Sequence, residues 1–175
     1  MKHPDLYRYE TNHIDPGLRG ESPLDAVTEV AEQIYRFKLF TSDYCRRLVD
    51  EAEAHGGWIT QTAVEFSAFV RDETEPDTTL DLSAFPGLPS VYRTVVDRHI
   101  RPLIERLWTT FRVQLIDPPY LLKYQPGGVD RMALHHDIET VSMIVYLNTE
   151  FEGGGTRFPR FDYETGSPAP GTAIL

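Results

Sequence analysis

This 175-residue sequence predicts an α+β fold in which helices lead and short strands follow. Three observations carry the prediction. An apolar period of helical type follows a capping residue near position 41, and a long apolar stripe runs from Tyr92 to Phe111. From Val113 onward the chain breaks into short apolar runs punctuated by glycines. Helices first and several short strands afterwards suit helices packed on one face of a jelly roll.

Residues 1–28 are rich in Pro, Gly, Asp and Arg without a period, and read as an arm over the surface. Residues 29–175 read as a single domain. Ile34 to Phe40 alternates, with Tyr35, Phe37 and Leu39 on one face and Arg36 and Lys38 on the other, the pattern of a half-buried strand. Thr41 or Ser42 can cap the helix that follows, where Cys45, Leu48, Val49 and Ala52 recur at helical spacing until Gly56-Gly57. Phe66, Phe69 and Val70 suggest a strand, and Arg71 to Thr79 a polar loop. Ser90 opens the strongest helical pattern, formed by Tyr92, Val95, Val96, Ile100, Leu103, Ile104, Leu107, Trp108 and Phe111. Pro102 lies inside it and should kink or divide the helix, because it lacks an N–H and crowds the preceding turn. Tyr120–Tyr124 and Val141–Leu147 read as strands, the second fully buried, with further short strands over Arg157–Phe161 and Thr172–Leu175.

Composition is that of an ordinary globular domain, 41% hydrophobic and 25% charged. A net charge of −10 argues against nucleic acid as a partner, since phosphate binding needs clustered Lys and Arg. The single cysteine, Cys45, cannot form a disulfide within the chain, which points to a reducing compartment. Without an apolar leader or a long apolar run, no membrane partner is expected, and the predicted location is cytoplasmic.

Chemistry concentrates at Leu134-His135-His136-Asp137. Side chains alternate on an extended backbone, so His135 and Asp137 point one way and His136 the other. An imidazole and a carboxylate at i and i+2 can grip one ion, with a third ligand from elsewhere. Two His and one carboxylate on one face of an octahedron leave open positions, which suits iron(II) with a bidentate keto acid and O2. A polar turn that happens to contain two histidines is the alternative reading of the triplet.

The neighbouring motifs are more specific. Tyr124-Gln125-Pro126-Gly127-Gly128 precedes the triplet, and Tyr146-Leu147-Asn148 follows it. Next come Phe151-Glu152-Gly153-Gly154-Gly155-Thr156-Arg157-Phe158, then Pro159-Arg160-Phe161-Asp162, and finally Gly171-Thr172-Ala173-Ile174-Leu175. This order over residues 113–175 resembles the catalytic domain of the procollagen lysyl hydroxylases and related prolyl 4-hydroxylases, and is closer to the lysyl type. The resemblance implies a double-stranded β-helix (a cupin-like jelly roll) with N-terminal helices on one face, residues 113–175 forming its front part. It implies an iron(II)- and 2-oxoglutarate-dependent dioxygenase that consumes O2, with ascorbate a candidate reductant, hydroxylating an amino-acid or peptidyl side chain of lysine-like character. Carried over by position, His135 and Asp137 resemble the first two iron ligands. Tyr124 resembles the tyrosine lining the 2-oxoglutarate site, and Thr156 stands where the prolyl type places a threonine and the lysyl type a cysteine. Tyr146 could line the same cavity or simply pack. Gly153 to Gly155 read as a backbone requirement.

The same resemblance asks for a later histidine and then an Arg or Lys for the far carboxylate of 2-oxoglutarate. The histidines stand at positions 3, 13, 55, 99, 135 and 136, so none follows Asp137. The expectation is therefore a jelly roll whose last strands are absent, as in a truncated product. The alternatives are a catalytically inactive binding or assembly module, or a site completed in trans or by His99. Exposed sheet edges would then invite homo-oligomers. Bland roles are expected elsewhere: His136 facing outward, His99 at a core boundary, His3, His13 and His55 solvated. Trp58 and Trp108 read as packing aromatics, Cys45 as a small hydrophobe. Asp72, Glu73, Glu75 and Asp77 read as a solvated acidic loop.

Overall fold

The computed structural model describes residues 1–62, 76–110, 112–113, 119–137 and 139–175. The expected strand around Phe66, Phe69 and Val70, most of the acidic loop, and Phe111 lie outside the described residues. In chain order the strands are β1 (Thr28–Ala31), β2 (Ile34–Lys38), β3 (Ile59–Thr62), β4 (Pro76–Asp81), β5 (Tyr120–Leu122), β6 (Ile144–Val145), β7 (Arg157–Phe158), β8 (Tyr163–Glu164) and β9 (Thr172–Ile174). The α-helices are α1 (Pro16–Arg19), α2 (Ser42–His55), α3 (Leu88–Val95) and α4 (Arg101–Leu107). Strands assemble into antiparallel sheets of order β1-β2-β9-β6, β3-β4-β5 and β7-β8, so the α+β class holds. Among the described residues no helix is long and apolar enough to cross a membrane.

The β1-β2-β9-β6 sheet separates two apolar clusters. Phe37, Ala173 and Val145 stand in register across it, and with Tyr35 and Leu175 they face the larger core beside Leu48, Leu88, Leu103 and Ile104. Alternation sends Ile34, Ile174 and Tyr146 to the other face, against Phe158, Phe161 and Tyr163. A strand covered on both faces has no solvent side, and Thr172 through Leu175 are all buried.

Local signals in α2 are met. The Thr41 side chain accepts from the Tyr44 N–H at its start, and the Gly56 N–H bonds the Ala52 carbonyl at its end. The next helix starts at Leu88 rather than Ser90, because Gly87 takes the cap and Pro89 fits the first turn. A π-helical turn over Val96–Ile100 then divides α3 from α4, and Pro102 falls in the first turn of α4, where it needs no helical N–H partner.

Several expectations are corrected. Residues 1–28 are no mere surface arm: Leu6, Ile14 and Leu18 enter the main core, and His13, expected to be solvated, is only 2% exposed. Tyr120–Tyr124 shortens to β5. The Val141–Leu147 strand reduces to β6, which among the described residues pairs only with β9, and its Ile144 is 40% exposed rather than fully buried. Arg157–Phe161 stops as a strand after Phe158, since Pro159 has no N–H to donate. The chain turns through a 3-10 segment and Asp162, whose φ is +47°, before returning as β8.

Candidate metal and cosubstrate site

After β5 the chain turns back on itself, with the Gln125 N–H bonded to the Val129 carbonyl at 2.7 Å, and then runs to β6. His135 and Asp137 lie in this connection, outside the strands found among the described residues. Their spacing nevertheless brings the side chains together, as the i and i+2 argument expects. His135 Nε2 stands 3.2 Å from Asp137 Oδ1, and both side chains are 45% exposed. His135 Nδ1 lies 2.8 Å from the Ala133 carbonyl oxygen. A carbonyl can only accept, so Nδ1 carries a hydrogen and donates it. In the neutral ring that leaves the Nε2 lone pair aimed at a carboxylate oxygen. Two lone pairs do not attract each other at that distance, so the pair calls for a cation between them, either a proton on Nε2 or a metal ion. His136 is exposed, as are His135 and Asp137 on either side of it.

A second cluster forms on the far face of the central sheet. The Tyr146 hydroxyl lies 2.7 Å from Thr156 Oγ1 and 2.9 Å from Thr165 Oγ1. Thr165 Oγ1 also accepts from the Thr156 N–H at 2.9 Å, and the Thr165 N–H bonds the Thr156 carbonyl at 3.0 Å. These bonds extend the β7–β8 ladder by one cross-strand Thr pair. The triple glycine makes the approach feasible. Gly153 and Gly154 have φ of +82° and +74°, and a β-carbon on Gly155 would stand 2.7 Å from the Gly166 carbonyl oxygen. The structure thus brings together Tyr146 and Thr156, two of the residues singled out in the sequence. It leaves Tyr124 exposed beyond the end of β5. Thr165 escapes sequence reading because its partnership with Thr156 depends on the intervening turn at Pro159–Asp162.

Among the described residues no group of three or more His, Cys, Asp or Glu is arranged to hold a metal ion, so His99 does not complete the pair. His99 Nε2 instead meets the Tyr9 hydroxyl at 2.8 Å, and burial, then the neighbouring Arg98 charge, push its pKa below the usual histidine range. Cys45 is fully buried, and burial pushes its thiol up to about 12, well away from a reactive thiolate.

No family model matches the chain. Curated relatives do. The chain is 26% identical over 188 aligned residues to the multifunctional procollagen lysine hydroxylase and glycosyltransferase LH3 of Rattus norvegicus, covering 99% of this chain and 25% of that protein. It is 25% identical over 175 residues to the procollagen-lysine,2-oxoglutarate 5-dioxygenase of Drosophila melanogaster, covering 91% of this chain and 24% of that one. To procollagen-lysine,2-oxoglutarate 5-dioxygenase 1 of Gallus gallus it is 25% identical over 146 residues, 81% of this chain and 20% of the relative. The chain therefore spans a quarter or less of the length of these relatives. Over most of its length, and in the motif order around His135-His136-Asp137, the chain is therefore similar to the procollagen-lysine 2-oxoglutarate dioxygenases.

Proposed function

We propose that this chain belongs to an iron(II)- and 2-oxoglutarate-dependent dioxygenase that hydroxylates an amino-acid or peptidyl side chain of lysine-like character. The observation that carries the reading is the convergence of His135 Nε2 and Asp137 Oδ1 at 3.2 Å, with the imidazole tautomer fixed by Ala133. Cis positions of an octahedral ion with bonds of about 2.1 Å lie about 3 Å apart, so the two atoms fit adjacent corners of one coordination sphere. Partial exposure leaves room for further ligands. The bound iron would supply C–H oxidation, with 2-oxoglutarate and O2 consumed and succinate and CO2 released.

The protein's own part is binding and orientation. His135 and Asp137 hold the ion, while the Tyr146 and Thr156 hydroxyls, and Tyr124 at the rim, line the 2-oxoglutarate side in this reading. The β1-β2-β9-β6 sheet is then one wall of a jelly roll, with the Tyr146 face turned inward. The reading also requires a third protein ligand and a cation for the far carboxylate, and among the described residues no third His, Cys, Asp or Glu joins the pair. Anaerobic titration with iron(II) and 2-oxoglutarate tests the reading through its visible charge-transfer band. A band that needs both additions, and is lost in Asp137→Ala, is expected. A flat titration without succinate release would instead favour a metal-free binding module.

A further inference from the structure

Thr165 has one hydroxyl hydrogen and two places to put it. Given to the Gly166 carbonyl, at 3.3 Å, it leaves the Thr165 oxygen to accept from Tyr146, and Tyr146 to accept from Thr156. Given to Tyr146 instead, it turns the whole chain around, so that Tyr146 donates to Thr156 and the Thr156 hydrogen points away from the trio. The reversal sacrifices one long bond and moves no proton between heavy atoms. An arriving carboxylate would drive it, since Thr156 then donates outward with two hydroxyls polarised behind it. Thr165 holds both ends of the arrangement, because the same oxygen accepts from the Thr156 N–H at 2.9 Å and fixes where that side chain starts.

We infer that Thr165 is a positioning residue that sets the Tyr146 and Thr156 hydroxyls to receive a carboxylate ligand, which in the reading above is 2-oxoglutarate. The inference rests on that reading for the identity of the ligand. The geometry of the trio stands by itself.

The test compares the parent with Thr165→Val, Thr165→Ser, Tyr146→Phe and Thr156→Val, measuring affinity for iron(II) alone and then for 2-oxoglutarate in the presence of iron(II). Thr165→Val should weaken 2-oxoglutarate about five- to tenfold, the scale of one lost hydrogen bond, with Thr165→Ser restoring it. Affinity for iron(II) alone should stay at the parent value in Thr165→Val, which a general loosening of the domain would not allow. Binding of 2-oxoglutarate that is weakened by Tyr146→Phe and Thr156→Val but untouched by Thr165→Val would overturn this inference and leave the dioxygenase reading standing. No 2-oxoglutarate binding by the parent, or parent-like binding by Tyr146→Phe and Thr156→Val, would overturn the cosubstrate assignment and this inference with it.

Discussion

The Gly171 carbonyl receives the backbone N–H of Phe40 at 3.3 Å, and the two backbones are so close that a β-carbon on Gly171 would overlap the Phe40 carbonyl. Gly171 also receives the Leu39 N–H at 2.8 Å, and its own N–H bonds the Tyr146 carbonyl at 2.7 Å, so this residue just before β9 ties together the C-terminal ends of β2 and β6. Its φ of +89° lies where side chains are strained. Gly171→Ala should therefore lower stability by about 3 kcal/mol, strain and overlap acting together. Urea unfolding checks this, and an unchanged midpoint would show that the β2–β9 junction tolerates movement.

Glu51 ties the start of the chain to α2. Its carboxylate, 4% exposed, accepts from the Lys2 N–H at 2.7 Å, the His3 N–H at 2.8 Å and the Tyr7 hydroxyl at 2.9 Å. Burial alone would raise its pKa, but the His3, Tyr7 and Lys2 hydrogen bonds and the terminal ammonium outweigh it, and the net shift is downward. A depressed carboxylate pKa contributes stability above the ordinary carboxylate range and loses it as pH falls through the folded value. Glu51→Gln should cost about 1–3 kcal/mol at neutral pH. The gap from the parent should close in acid. A gap that persists undiminished at pH 3 would assign the loss to packing rather than to charge.

His13 provides a second, earlier acid response. Both ring nitrogens are buried with no hydrogen-bond partner among the described residues, and Nε2 stands 3.8 Å from Asp5 Oδ2 and 3.9 Å from Glu10 Oε2. Burial lowers its pKa, with Glu10 and Asp43 pulling the other way and losing. The unfolded chain thus takes up a proton before the folded one does, so stability is full above the usual histidine range and falls as pH drops through the folded value. His13→Gln should flatten the pH dependence of the urea midpoint between pH 7 and 5, above the window in which Glu51 responds. An unaltered slope would mean that another group carries it.

What was legible in the sequence is what neighbouring residues decide. Thr41, the Cys45-Leu48-Ala52 spacing and Gly56 specify α2 within fifteen or so residues of chain, roughly four helical turns. The i and i+2 rule brings His135 and Asp137 together even though no ladder holds their segment extended. The misses depend on distant partners. Nothing local in residues 1–28 announces that Glu51 will gather Lys2, His3 and Tyr7, or that His13 will pack on Tyr44 with ring centres 4.7 Å apart. The apolar run around Ile144 reads as fully buried because composition cannot tell a central strand from an edge one. Thr165 needs the hairpin to exist before it can face Thr156.

Replacing His135 or Asp137 separates fold from function. Both side chains are 45% exposed and lie outside the sheets, and the pair brings together two acceptor atoms that only a cation reconciles. Removing either one deletes no apolar contact of the core, so stability should change by no more than about 0.5 kcal/mol in metal-free protein. Asp137→Ala and His135→Ala should each abolish the shift in unfolding midpoint that iron(II) gives the parent, because binding to the folded state alone raises the midpoint by mass action. Asp137→Asn keeps the shape, loses the charge, and should retain at most a small part of that shift. If both alanine variants keep the parent's full iron(II)-dependent stabilisation, the ion binds elsewhere and the pair is only a surface contact.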